Sequence, residues 1–161
     1  MQTAATGPSR TLTDAARGPF VRAAILCERV LCETDGALSA IRILHDGPVA
    51  VDDRPIQLVL LLMLVRGGLG AGEHRALLQI RGPSGELVSS KPIALALDDG
   101  GPEQVSSLVL DVSFAPRAEG VYWFRVAWGD DDRLLTQVPF TAHSALPAGA
   151  GGQGGPAHAR R

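Results

Sequence analysis

The sequence predicts an all-β fold, an antiparallel two-sheet β-sandwich of about eight strands. Short apolar runs recur along the chain with turn residues between them. In residues 108–114, Leu, Leu, Val and Phe alternate with Val109, Asp111 and Ser113, and residues 121–128 alternate in the same way. Alternation with period two is the pattern of a half-buried strand. At 161 residues and 45% hydrophobic content, the chain fits one domain with a core of its own.

Turn residues delimit the strands of the first half. The strands predicted there are residues 21–32, 38–44, 56–65, 74–81 and 86–90. The second strand ends at the turn signal His45-Asp46-Gly47-Pro48, and four glycines interrupt residues 67–72. The sequence Gly-Pro-Ser-Gly at 82–85 predicts a tight hairpin between the last two strands.

The second half continues the same pattern. Its predicted strands are residues 93–97, 105–114, 121–128 and 134–142. Pro92 cannot donate a backbone hydrogen bond, so it restricts the adjoining strand to a sheet edge or a bulge. Residues 98–102 and 130–132 are rich in aspartate, glycine or proline and predict loops.

The first two segments also permit a helix. Ala24, Cys27 and Leu31 follow helical spacing, and Leu, Ala, Glu and Arg favour helices. A short helix at residues 37–44 is therefore the alternative to a strand there.

The composition divides the chain into three parts. Residues 1–19 and the Gly/Ala/Pro-rich residues 144–161 contain little to bury, which predicts disordered tails around a domain at residues 20–143. The domain holds 11 Arg and Lys against 16 Asp and Glu, a net of −5. An acidic surface argues against binding of a phosphate backbone, so we predict no nucleic-acid partner.

The order of elements resembles a family of small bacterial β-sandwich proteins of unknown function. The resemblance rests on AAILCERV, DGALSAIRIL, RPIQLVLLLMLV, HRALLQIRGPSGELV and EGVYWFRVAWGDDDRLLTQVPFTA. It covers about residues 20–142 and implies a fold, but it supplies no catalytic residues to carry over. Gly120-Val121-Tyr122 also resembles the tyrosine corner of immunoglobulin-like sandwiches, in which the hydroxyl bonds upstream backbone. The cysteine pair that joins the sheets of antibody domains is missing from the sequence.

Cysteine usage and hydropathy indicate a protein of the cytoplasm, and the bias toward arginine over lysine indicates a bacterial source. Cys27 and Cys32 lie at an odd offset, which places them on opposite faces of a strand and favours free thiols. The most apolar run, residues 56–65, is about half the length that a membrane helix requires, so no membrane partner is predicted. Lys91 is the one lysine among 15 basic residues, as expected of a GC-rich coding sequence.

Aspartates in three loops are the strongest candidate for a chemical site. They are Asp46, Asp52, Asp53, Asp98, Asp99, Asp130, Asp131 and Asp132. Sandwiches of the C2 type gather such carboxylates around calcium, but Asp is also an ordinary turn residue. The four histidines follow no metal-ligand spacing, and neither a GxSxG nor a P-loop pattern occurs. We therefore predict no catalytic, metal or cofactor site.

Two features predict an interaction surface. Residues 58–65 are apolar on both alternating faces, so one face requires a cover such as a tail, a helix or a second subunit. Trp123 and Arg125 share the strand face opposite Tyr122 and Phe124. The candidate surface is Leu60, Leu62, Met63, Trp123 and Arg125.

These observations favour a non-enzymatic protein-interaction or assembly module. Its partner is expected to be another protein or a second copy of the chain, bound through an apolar sheet face. The alternatives are a sandwich that binds calcium or a carbohydrate in its loops, with Trp123 and Trp128 stacking on a sugar, or an enzyme with no recognisable motif.

Overall fold

The computed structural model of the protein describes residues 18–49, 54–129 and 133–144, and every regular element among them is a strand. The strands are β1 (Phe20–Cys32), β2 (Leu38–Ile43), β3 (Asp46–Pro48), β4 (Ile56–Val65), β5 (Gly72–Arg81), β6 (Leu87–Leu97), β7 (Val105–Phe114), β8 (Gly120–Trp128) and β9 (Arg133–His143). Within this part of the chain there is no helix able to span a bilayer.

The strands form two sheets. The four-stranded sheet has the order β2-β1-β4-β7, and the five-stranded sheet has the order β3-β9-β8-β5-β6. Neighbouring strands are antiparallel except β3 and β9, which run parallel. The prediction of an all-β, two-sheet sandwich is confirmed, with nine strands among the described residues.

Three local predictions differ from the structure. The helix considered at residues 37–44 is strand β2, where pairing with β1 supplies the backbone partners that a short isolated helix would lack. Pro92 does not divide two strands, because β6 is an edge strand and continues through it. The predicted turn at residues 45–48 contains β3, which is held by β9.

The tails predicted at residues 1–19 and 144–161 lie almost entirely outside the described part of the chain. Gly18, Pro19 and Ser144 are the tail residues that the structure describes. The backbone N–H of Ser144 donates to Glu119 Oε1 at 2.9 Å, so the end of β9 is tied to the residue that precedes β8.

The core lies between the inner faces of the sheets. The four-stranded sheet contributes alternate leucines of β4, which are Leu58, Leu60, Leu62 and Leu64. Phe114 stands at the centre of an aromatic cluster, with its ring centroid 5.2 Å from that of Phe124 and 5.5 Å from those of Tyr122 and Phe140. Tilted and edge-to-face ring contacts stabilise a core beyond the burial of apolar area.

The predicted tyrosine corner is present at the start of β8. The Tyr122 hydroxyl accepts hydrogen bonds from the N–H groups of Arg117 (3.0 Å) and Ala118 (3.1 Å), and donates to the Ala118 carbonyl at 3.1 Å. Gly120 has φ +131°, and a side chain there would collide with Pro83, so the corner requires glycine at this position. The corner fixes the segment that connects β7 of one sheet to β8 of the other.

Arg66 joins two loops near the start of β7. Its side chain is buried and donates to the carbonyls of Leu69 (2.5 Å) and Asp98. Its backbone N–H donates to Gln104 O at 3.0 Å, which extends the β4–β7 pairing by one step. A buried arginine is tolerated here because backbone oxygens accept hydrogen bonds from its side chain.

Candidate interaction surfaces

Strand β4 presents its two apolar faces to different surroundings. Leu60 and Leu62 are 0% and 1% exposed and lie in the core, so their place in the predicted interaction surface is wrong. Met63 is half-buried and lies on the opposite face, together with Val59 and Leu61. The sequence did not distinguish the two faces because both are apolar.

The outer face of the four-stranded sheet is largely apolar. We call it the apolar outer face; it comprises Phe20, Ala23, Ile25, Cys27, Ile43, Val59, Leu61, Met63, Val65, Val105 and Val109. Its centre is nearly buried, as at Leu61 (6% exposed), whereas Ile43 and Val109 at its margins are 52% and 46% exposed. In the single chain only the margins of this face are open to solvent, so the margins are the part available for a protein contact.

Strand β7 is an edge strand of the four-stranded sheet and borders the apolar outer face. The register pairs Val65 with Val105, and the next pair in line is joined by the bond from the Arg66 N–H to Gln104 O. Even-numbered residues of β7 therefore direct their backbone groups to β4, and odd-numbered residues direct theirs outward. The Asp111 carbonyl agrees with this, because it accepts a 3.4 Å hydrogen bond from Nζ of Lys91 on the opposite sheet.

The other three edge strands, β2, β3 and β6, are short or irregular or contain residues that disfavour pairing. β6 contains Lys91 and Pro92 in its middle, β3 has three residues, and β2 contains Arg42 at a positive φ of 52°. Lysine, proline and short or irregular strands are features that protect edges from pairing. β7 has ten residues, contains neither lysine nor proline, and pairs with β4 without a register shift. It is the least protected sheet edge in the described part of the chain.

Trp123 and Arg125 lie on the outer face of the five-stranded sheet, on the other side of the sandwich from Met63. Trp123 pairs with Arg81 on β5 and with Pro139 on β9. Together with the β5–β6 hairpin, Trp123 and Arg125 line a shallow cavity of about 320 Å³. We call this the Trp–Arg surface; it comprises Arg81, Gly82, Pro83, Gly85, Trp123, Arg125 and Gln137. The predicted site residues thus belong to the core and to two separate surfaces.

The two tryptophans do not form one stacking surface for a sugar. Trp128 pairs with Ala76, packs against the core, and has its ring centroid 5.5 Å from that of His74. Trp123 points to the other face of the same sheet, where it pairs with Arg81. The paired tryptophans that motivated the carbohydrate alternative are therefore separated by the sheet.

A groove runs along the open side of the sandwich between β6 and β7. A cavity of about 550 Å³ near the tyrosine corner is lined in part by Leu87, Phe114 and Tyr122. A second cavity of about 200 Å³ lies beside Lys91 and Asp111. The bond from Lys91 to the Asp111 carbonyl crosses this open side and links the two sheets.

The loop carboxylates do not converge where the structure describes them. Within residues 18–49, 54–129 and 133–144, no group of three or more His, Cys, Asp or Glu side chains is placed to hold a metal ion. Asp52, Asp53, residues 130–132 and His158 lie outside those ranges.

The two cysteines are free thiols in different surroundings. Cys27 is buried on the apolar outer face, where its thiol donates to Val59 O at 3.6 Å, and Cys32 is exposed. Burial raises the pKa of the Cys27 thiol. The neutral thiol is therefore the stable form of Cys27 in the folded protein.

Arg81 and Val109 are the surface residues that the sequence analysis missed. Arg81 meets Trp123 only because β5 and β8, which are not consecutive strands, are neighbours in the sheet. The positions on either side of Val109 on the same strand face, Ser107 and Asp111, are polar, whereas Val109 is apolar. That break in the alternation was the available signal for an apolar margin on this strand.

Comparison with known proteins finds likeness in fold. No protein-family model matches the sequence, and no curated protein matches it. An immunoglobulin-like protein from Pseudomonas aeruginosa is similar in structure, with 17% identity, a TM-score of 0.45, and coverage of 80% of this chain and 99% of that one.

Two further solved structures are similar. The CARDB domain of a Pyrococcus furiosus protein, solved with di-metal ions, has 12% identity and a TM-score of 0.42, with coverage of 79% of this chain and 90% of that one. A glycosyl hydrolase family 2 member from Bacteroides cellulosilyticus has 13% identity and a TM-score of 0.44, and the match covers 78% of this chain and 13% of the hydrolase. At this identity the likeness concerns the sandwich architecture alone.

The immunoglobulin-like features predicted from the sequence are confirmed. They are the two packed sheets and the tyrosine corner formed by Tyr122. These features describe how the chain folds, so its function has to be argued from its surfaces.

Proposed function

We propose that this chain is a non-enzymatic assembly module in which β7 pairs antiparallel with β7 of a second copy. The observation that carries the proposal is the free edge of β7, which is regular, lacks lysine and proline, and borders the apolar outer face. Addition of a strand to an exposed edge is a common mode of protein recognition. Pairing of a strand with itself gives the two-fold symmetry that most protein dimers have.

The register of such a dimer follows from the backbone. Odd-numbered residues of β7 carry the outward backbone groups, and they run from Val105 to Ser113 with Val109 at the centre. A two-fold axis at Val109 pairs every one of these residues with an odd-numbered residue of the second copy. Neighbouring registers leave residues at the strand ends unpaired, so this register forms the most backbone hydrogen bonds.

On the β7 edge, the Asp111 carbonyl has to exchange its hydrogen-bond donor when the dimer forms. The Asp111 carbonyl accepts the bond from Lys91 Nζ, which is long at 3.4 Å and exposed. In the dimer the N–H of Ser107 from the second copy takes the place of Lys91 at this carbonyl. The lysine can return to water at little cost, because exposed ammonium groups are well hydrated.

The side chains along that edge are compatible with the same register. Val109 lies opposite Val109 of the second copy, and Ser107 lies opposite Asp111 of the second copy. A serine hydroxyl can donate to the carboxylate that faces it, while the two Asp111 carboxylates stay about 13 Å apart at 3.3 Å per residue. The edge therefore avoids repulsion between its own negative charges when it pairs with itself.

Dimerisation would also join two apolar outer faces into one wider face. Val109 is an exposed margin of that face in the single chain, and pairing places it next to an identical margin. Leu61, the neighbour of Val109 on β4, is already nearly buried. Pairing therefore buries more additional apolar surface at Val109 than at Leu61. The removal of this apolar surface from water adds to the backbone hydrogen bonds.

Analytical ultracentrifugation of the full chain tests the proposal. We expect a concentration-dependent equilibrium between monomer and dimer. Val109→Lys places two like charges directly opposite each other and should weaken the dimer by about tenfold or more. Val121→Lys is the matched control, because Val121 is also exposed but lies on the outer face of the other sheet.

A chain that sediments as a monomer at its highest soluble concentration would contradict the proposal. Equal loss of dimer in Val109→Lys and Val121→Lys would contradict it as well, because a general effect of charge would then explain the result. Circular dichroism of both variants checks that the sandwich is intact.

A further inference from the structure

The Trp–Arg surface differs from the rest of the domain in its charge. Residues 20–143 are acidic by a net of −5, yet the charged side chains lining this cavity are the arginines Arg81 and Arg125. The ion pair found in the described part of the chain joins Arg42 to Glu28, on the other sheet. The two guanidinium groups therefore face the cavity without a carboxylate among its lining residues.

Arg81 is held in place at this surface. Its Nη1 donates to Gly85 O at 3.0 Å, which attaches the guanidinium group to the β5–β6 hairpin. Its Nε is shielded from water and has no hydrogen-bond partner in the described chain. Because Nε is closed to a ligand as well as to water, a carboxylate would have to bind the remaining N–H groups of the Arg81 guanidinium.

The spacing of the two arginines suits an extended peptide. Arg81 lies opposite Trp123, and Arg125 lies two residues farther along β8. Such diagonal positions on neighbouring strands are about 7–8 Å apart. Side chains two residues apart in an extended peptide are about 6.6 Å apart and point to the same side. Carboxylates at alternate peptide positions can therefore reach both guanidinium groups.

We propose that the Trp–Arg surface binds an extended segment of a partner protein with carboxylates at alternate positions. Arg81 and Arg125 each bind one carboxylate through charge-assisted hydrogen bonds. Trp123 packs against the apolar part of the segment between them, as exposed tryptophans at interfaces commonly do. This site is separate from the β7 edge, and its ligand does not depend on the dimer.

The net charge of the domain favours a peptide over a nucleic acid. A nucleic-acid backbone carries many negative charges, which the acidic domain would repel. A short acidic segment carries only a few negative charges, and the two arginines can neutralise them. Arginine is also the side chain that recognises carboxylates through paired hydrogen bonds.

Fluorescence polarisation with the full chain tests the site. The probe is a short fluorescein-labelled Gly/Ser/Ala peptide with Glu at three alternate positions, and the matched probe has Gln at the same positions. We expect the Glu peptide to bind at least about tenfold more tightly than the Gln peptide. Arg125→Gln should weaken binding by about tenfold, and Arg29→Gln, an exposed arginine of the other sheet, should leave it unchanged.

Three results would overturn the proposal. They are no binding of the Glu peptide at millimolar protein, equal weakening by Arg125→Gln and Arg29→Gln, and tighter binding of a labelled oligothymidylate than of the Glu peptide. Val109→Lys serves as the second variant. Unchanged peptide binding in that variant supports a separate site, and loss of binding there would contradict its independence from the β7 edge.

Discussion

The hydroxyl of Tyr122 bonds both backbone groups of Ala118, donating to its carbonyl and accepting from its N–H at 3.1 Å each. The same oxygen accepts from the N–H of Arg117 at 3.0 Å. These bonds close the connection between β7, whose edge we propose as the dimer contact, and β8, which carries the Trp–Arg surface. The corner thus sets the position of one proposed surface relative to the other.

Tyr122→Phe should lower the free energy of unfolding by about 1–2 kcal/mol, because it removes the hydroxyl and leaves its backbone partners without it. Chemical denaturation measures the change. Val121→Ala, at the exposed neighbouring position, should change stability by no more than about 0.5 kcal/mol. A smaller loss in Tyr122→Phe than in this control would show that the corner does not stabilise the fold.

The two faces of β4 should respond differently to truncation. Leu60→Ala opens a cavity in the core and should cost about 3 kcal/mol, whereas Met63→Ala, on the half-buried outer face, should cost about 1 kcal/mol. Urea denaturation at low protein concentration separates these values from any contribution of dimerisation. Equal losses, or a greater loss at Met63, would contradict the assignment of the faces.

Cys27 should resist thiol reagents until the protein unfolds, while Cys32 reacts in the native state. Burial raises the pKa of the Cys27 thiol, so the folded state keeps its proton at a pH where the unfolded state has lost it. Stability is therefore unaffected below the ordinary pKa of a cysteine thiol and decreases as the pH rises above that pKa. Cys27→Ala should reduce that decrease, and labelling with mass spectrometry distinguishes the two thiols.

A slope of stability against pH that is the same with and without Cys27 would exclude this effect. Rapid labelling of Cys27 in the native protein would show that the apolar outer face opens readily. Either result would place Cys27 in a more solvated environment than the structure gives it.

Local patterns were sufficient to predict much of the fold. The alternation in residues 108–114 identified β7, and Gly120 followed by Tyr122 identified the corner. Pro92 correctly indicated an edge, although it did not end the strand. Each of these signals depends on a few adjacent residues and on backbone chemistry that is independent of the remaining chain.

The surfaces were less predictable because they depend on pairing between distant segments. Leu60 and Met63 belong to one continuous apolar run, and only the pairing of β4 shows which of them faces the core. Arg81 joins Trp123 through the pairing of β5 with β8, two strands that are not consecutive. Contacts of this kind cannot be inferred from the sequence of each strand taken alone.

The most direct test of the proposed assembly is disulfide cross-linking at the centre of β7. Val109→Cys, made with Cys32→Ser, should form a disulfide-linked dimer on mild oxidation, because hydrogen-bonded antiparallel partners have Cα atoms about 5.5 Å apart, within disulfide range. Val105→Cys in the same background is the control, since the two copies of residue 105 would lie about 26 Å apart at 3.3 Å per residue. Non-reducing electrophoresis should show a dimer for Val109→Cys and a monomer for Val105→Cys. A monomer for Val109→Cys, or equal cross-linking at both positions, would contradict the account.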